Sequence, residues 1–137
     1  MKLSANMKKQ LVEEIVFATG QMKKTEFVDQ KLYLFSAVWG IAQRIINFEY
    51  DPELTFAYQV LKMAHDQISA RINAIKAGDK LIPIAEDVFP QIEIALEEMV
   101  KKIEKNSSIY AELQKILNLS YSTTGNGYYL SLKEAKS

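Results

Sequence analysis

The chain has 137 residues, 48% of them hydrophobic and 25% charged, with 17 basic against 17 acidic side chains and one histidine. That length suits a single core, the composition is too apolar for a disordered chain, and the even charge lacks the basic excess of a nucleic-acid binder. The absence of cysteine excludes disulfides, thiolate nucleophiles and thiolate metal sites.

Met1-Lys2-Leu3-Ser4-Ala5-Asn6 lacks the apolar run of a signal peptide, and no stretch of ~18 unbroken apolar residues occurs. A cytoplasmic protein with no membrane span is therefore expected. Helical periodicity then predicts a first helix from Ser4 or Asn6 to Thr19, with Met7, Leu11, Ile15 and Ala18 inward and Gly20 ending it. Thr25 is placed to cap the next.

The second helix, Glu26 to Glu49, is the most apolar. Val28, Leu32, Phe35, Trp39, Ala42 and Ile46 form one seam. Phe27, Leu34, Val38, Ile41, Ile45 and Phe48 form another, rotated by about 115° at ~100° per residue. Together they span about 200°, wider than the ~100° stripe of a surface helix. Such a helix is either central in the fold or meets a second copy through its second seam, and the second explanation is the expectation here.

The third helix is the best marked. Asp51 suits an N-cap, Pro52 a first helical position and Gly78 a C-terminal stop. Its seam is Leu54, Tyr58, Leu61, His65, Ile68, Ile72 and Ile75. Phe56, Met63, Ala70 and Ala74 form a narrow line on its back, which extends the expected interface.

A fourth helix is expected to start near Ile84 with a bend at Pro90, or with a short helical turn before it, and to end near Lys105. Ala85, Phe89, Ile92, Leu96, Met99 and Ile103 are its seam. Ser107 or Ser108 caps a short fifth helix ending at Leu119. Tyr121–Thr123 and Tyr128–Leu132 flank Thr124-Gly125-Asn126-Gly127, the pattern of a β-hairpin. The predicted fold is an all-α antiparallel bundle of four main helices and a short fifth helix, with residues 1–119 as the helical domain and 120–137 as a C-terminal hairpin or, alternatively, a poorly ordered tail, on the same domain.

The catalytic inventory is thin. One histidine cannot supply a two-imidazole metal site, and no Glu-x-x-His pair accompanies His65. Asp66, next in sequence, is expected on the wet face and poorly placed to orient the ring, so His65 reads as a core or boundary residue bonded to a neighbouring helix. Glu13-Glu14 and Glu97-Glu98 lack the further inward carboxylates a magnesium site needs, and read as solvated faces. Arg71, on the helix flank with Val60 and Ala64, can clamp an anion or pair with an acid of another helix.

No catalytic residue, metal ligand or cofactor is assigned. The leading expectation is a non-enzymatic interaction or assembly protein, a homodimer or small subunit of a larger complex, using Phe27, Leu34, Val38, Ile41, Ile45, Phe48, Phe56 and Met63. The alternative is a small-molecule or nucleotide-binding protein with an inter-helix pocket near His65 and Arg71. A third reading, a winged-helix nucleic-acid binder, is weakened by a reading helix that offers only Gln114 and Lys115.

Overall fold

Ser4 stops the extended N-terminal segment and starts the first helix. Its side-chain oxygen accepts the Met7 N–H at 3.3 Å, taking up one of the orphan donors of the first turn. The computed structural model describes residues 1–76, with side chains as far as Asn73, and residues 88–121. Five helices occupy these residues: α1 (Ala5–Met22), α2 (Val28–Ile46), α3 (Pro52–Lys76), α4 (Val88–Glu104) and α5 (Tyr110–Tyr121). No strand occurs among them, and no helix is long and apolar enough to cross a membrane. The fold is all-α.

Several ends differ from expectation. Gly20 does not stop α1, which continues to Met22, because the wholly buried Met22 side chain rewards another turn more than a helical glycine costs. Thr25 acts outside α2: its hydroxyl oxygen accepts the Phe27 N–H at 3.2 Å, and Phe27 itself is the cap residue. At α3 the expectation holds. Asp51 Oδ1 accepts the Leu54 N–H at 2.9 Å, with Pro52 in the first helical position.

In α4 as described, Pro90 falls in the first turn, where its missing N–H breaks no intrahelical bond. Asn106 closes this helix in the left-handed conformation (φ 59°). The Ser107 N–H bonds Lys102 C=O at 2.8 Å and the Asn106 N–H bonds Ile103 C=O at 3.1 Å, a Schellman closure. α5 runs past Leu119 to Tyr121, so Tyr121 is helical rather than the start of a strand. The remainder of the expected hairpin, Gly78 and the expected α4 start near Ile84 lie outside the described residues.

Each helix packs on two others in the order α1–α2–α3–α5–α4, and α4 closes back on α1. Side-chain contacts fix the directions. Trp39 meets Tyr58 while Phe35 meets His65, so α2 and α3 are antiparallel. Lys8–Asn106 and Lys23–Glu97 make α1 and α4 antiparallel, and Lys102–Glu112 with Lys115–Glu98 does the same for α4 and α5. Phe56 faces Tyr110 and Met63 faces Tyr121, so α3 and α5 run parallel. A ring with an odd number of members cannot alternate throughout. The one parallel pair resolves this, with α4 as its crossover.

The ring explains α2. A member of a five-membered ring turns through about 110° between its two neighbours, close to the angular separation of the two α2 seams. One seam therefore serves α3 and the other α1. The helix is neither central nor dependent on a second copy for most of its girth. Phe35, Val38, Ile41, Ala42 and Ile45 are all buried within the chain. They join Leu11, Ile15, Leu61, Ile68, Phe89, Ile92, Leu96, Met99, Ile103, Leu113 and Ile116 in one continuous core.

Two buried carboxylates, Glu93 and Glu112, are met by lysines reaching in from the rim. Lys31 Nζ donates to Met22 C=O at 2.7 Å and lies 3.6 Å from the buried Glu93. Lys102 holds the buried Glu112 at 2.8 Å. At the end of the bundle away from Lys31, carboxylates of the α2–α3 turn and the first turn of α3 bind backbone. Asp51 Oδ2 accepts the Lys2 N–H and Glu49 Oε2 the Ser4 N–H, both at 2.8 Å, and Glu53 Oε1 accepts the Ile109 N–H at 3.1 Å.

Candidate functional site

The two residues proposed to line an internal pocket do not converge. Arg71 follows His65 by six positions, about 240° around the helix. Arg71 is buried in the α3 flank with Val60 and Ala64, whereas His65 sits at the α2–α3 boundary. Neither residue lines the hollows described below.

His65 stacks near-parallel on Phe35, with ring centroids 6.4 Å apart, and meets Trp39 edge-on at 5.7 Å. Its contact with the neighbouring helix is thus through rings. Asp66, expected to be poorly placed to orient the ring, lies with Oδ1 3.2 Å from His65 Nδ1. Asp66 Oδ2 accepts from Lys62 Nζ at 2.8 Å, and that ammonium also lies over the Trp39 ring at 5.7 Å. Hydrogen bonding from Lys62 is the main cause that holds the Asp66 carboxyl below the usual carboxylate range, with burial opposing it. This assembly locks α2 to α3. The adjacent hollow, lined by Tyr58, Gln59, Lys62, Met63, Asp66, Gln67 and Ala70, leaves the imidazole out. Among the described residues, no group of three His, Asp or Glu side chains is arranged to hold a metal ion.

The proposed interface residues divide. Val38, Ile41 and Ile45 belong to the core and are unavailable to a partner without unfolding, a correction that follows from α1 lying over them. Leu34 is half-buried. Phe56 and Met63 are partly sheltered by α5: the Phe56 ring lies 5.4 Å from that of Tyr110, and the Tyr121 hydroxyl reaches Met63 Sδ at 3.8 Å. Phe27 and Phe48 remain open, at 69% and 78% exposure.

These two stand at opposite ends of the α1–α2 pair, each beside a separate hollow. Near the start of α1 a hollow, about 310 Å³, is lined by Met7, Gln10, Glu13, Glu14, Ile41, Arg44, Ile45 and Phe48. Near the end of α1 a second hollow, about 500 Å³, is lined by Gln21, Lys24, Thr25, Glu26, Phe27, Gln30 and Leu34. Phe17, 59% exposed, lies on the α1 surface between them. The α1 row Met7, Gln10, Glu14, Phe17, Gln21 and Lys24 steps by three and four residues. So does the α2 row Phe27, Gln30, Leu34, Ala37, Ile41, Arg44 and Phe48, of which Ile41 is buried under α1 and the rest are at least partly exposed. That is the spacing of helix faces that pack on other helices.

Phe17 was not singled out from sequence, because it stands one step outside the inward seam of α1. The signal was its place on a second row that runs beside the first. No protein-family model, curated protein or solved structure matches this chain.

Proposed function

We propose that this protein is a non-enzymatic helical interaction module that docks a protein partner on the outward face of α1 and α2. One observation carries the reading: Phe17, Phe27 and Phe48 stand open to solvent along a single two-helix face with heptad-like spacing. Exposed phenylalanines scattered singly need no explanation, but three on one face, with Leu34 and Ala37 between them, form the apolar patch typical of an interaction site. The face lacks the depth and convergent polar groups of a small-molecule site.

Photo-crosslinking tests it. With p-benzoyl-phenylalanine at position 17, illumination of cells making the full chain yields covalent protein adducts. The same probe in place of the exposed Gln114 on α5 yields none. An absence of protein adducts from position 17 ends this reading.

A further inference from the structure

Resting on that reading, we infer that the partner on the α1–α2 face is a second copy of the same chain, related by a two-fold axis across the face. The argument comes from charge. In the hollow near the start of α1, α1 contributes Glu13, which pairs with Lys9 at 3.9 Å, and Glu14, and α2 contributes Arg44. In the other hollow the signs are reversed: Lys24 follows the end of α1, and Glu26 precedes α2. None of Glu14, Arg44, Lys24 and Glu26 has an ion-pair partner among the described residues. A two-fold rotation brings one end of the face over the other. It sets Glu14 against the partner's Lys24 and Arg44 against the partner's Glu26, and each pair occurs twice.

Both pairs require the axis at the same height. The midpoint of Glu14 and Lys24 is Thr19, and that of Glu26 and Arg44 is Phe35. In the antiparallel α1–α2 pair Met22 lies level with Lys31, whose Nζ bonds its carbonyl, and Met7 is level with Ile45, lining the same hollow. Thr19 and Phe35 therefore fall within about two residues, ~3 Å, of one level, close enough for a single axis to satisfy all four charges. A partner of unrelated sequence has no reason to match this internal reversal.

The size of the face fits a reversible dimer. The α2 row from Phe27 to Phe48 is about 31 Å long, and two adjacent helices present a width of about 18 Å. That gives about 550 Å² per copy and about 1,100 Å² in all, just above the ~1,000 Å² at which a specific interface becomes credible. A zero formal net charge imposes no overall repulsion between copies.

A charge-swap cycle read by sedimentation velocity tests the inference. At low salt and micromolar to ~100 μM chain, the wild-type protein sediments as a monomer–dimer equilibrium. Glu14→Lys and Lys24→Glu each weaken dimerisation by about tenfold or more. The double variant recovers most of the loss. Positions 14 and 24 are about 15 Å apart along α1, too far to pair within one chain, so recovery requires contact between copies. All these side chains are at the surface, and unchanged circular dichroism confirms that folding is intact. A monomer at every concentration overturns the inference, as does a dimer indifferent to the single swaps or not restored by the double one. If position 17 still crosslinks to a different protein in that case, the interaction reading survives and only the second copy is lost.

Discussion

α2 and α3 both carry apolar residues beyond a single inward seam, and the two surpluses are covered differently. On α3 the back line Phe56–Met63 receives α5, whose Tyr110 and Tyr121 lie over it. On α2 the second seam receives α1, which covers Val38, Ile41 and Ile45 but leaves Phe27 and Phe48 exposed. An apolar girth wider than one stripe thus reports two neighbours, and what remains for a partner is the surface those neighbours leave uncovered.

The sharpest way to break this comparison is a graded truncation along the two lines, read by urea unfolding. Ile45→Ala, at a fully enclosed site, costs about 2–5 kcal/mol. Phe56→Ala, half-sheltered against Tyr110, costs about 1 kcal/mol. Phe48→Ala, only three positions beyond Ile45, changes monomer stability by less than about 0.5 kcal/mol. Equal losses at Ile45 and Phe48 would mean that the ring does not divide α2 in this way.

The junction between the two helices gives the next effect. Asp51→Ala removes the α3 cap and the acceptor for the Lys2 N–H, and costs about 1–2 kcal/mol at neutral pH. Burial alone would raise the Asp51 carboxyl. The backbone donors Lys2 and Leu54, helped by the nearby chain-terminal ammonium, outweigh it and hold the carboxyl below its ordinary value. The folded state therefore binds this proton less readily than the unfolded one. The contribution is complete above about pH 4 and is lost as pH falls through the lower folded pKa. Wild type and variant converge in acid; a difference that grows instead would reverse the sign assigned to Asp51.

The smallest effect probes the outward side of α2. An added Cβ at Gly40 meets nothing within 4 Å, so Gly40→Ala raises the melting point, by about 0.5–1 kcal/mol of stability. A loss on that substitution would place an unrecognised neighbour against the middle of α2.

Much of the architecture was legible in single residues. Asp51-Pro52 announced α3, the 3.6-residue rhythm of Phe89, Ile92, Leu96, Met99 and Ile103 announced α4, and each is borne out by burial. Helix ends were less legible: Gly20 and Thr25 carry stop and cap signals that packing and a local turn redirected. The candidate face was half legible. Phe27 and Phe48 stood out, Phe17 did not, and Val38, Ile41 and Ile45 were given to a partner although α1 covers them.

By itself, the sequence determined which segments are helical and which of their faces are apolar, because periodicity and capping act over neighbouring residues. Only the tertiary structure decided how wide faces are shared. Whether an apolar line is buried depends on how many helices close around it, and an odd ring with one parallel pair is set by packing between segments far apart in the chain.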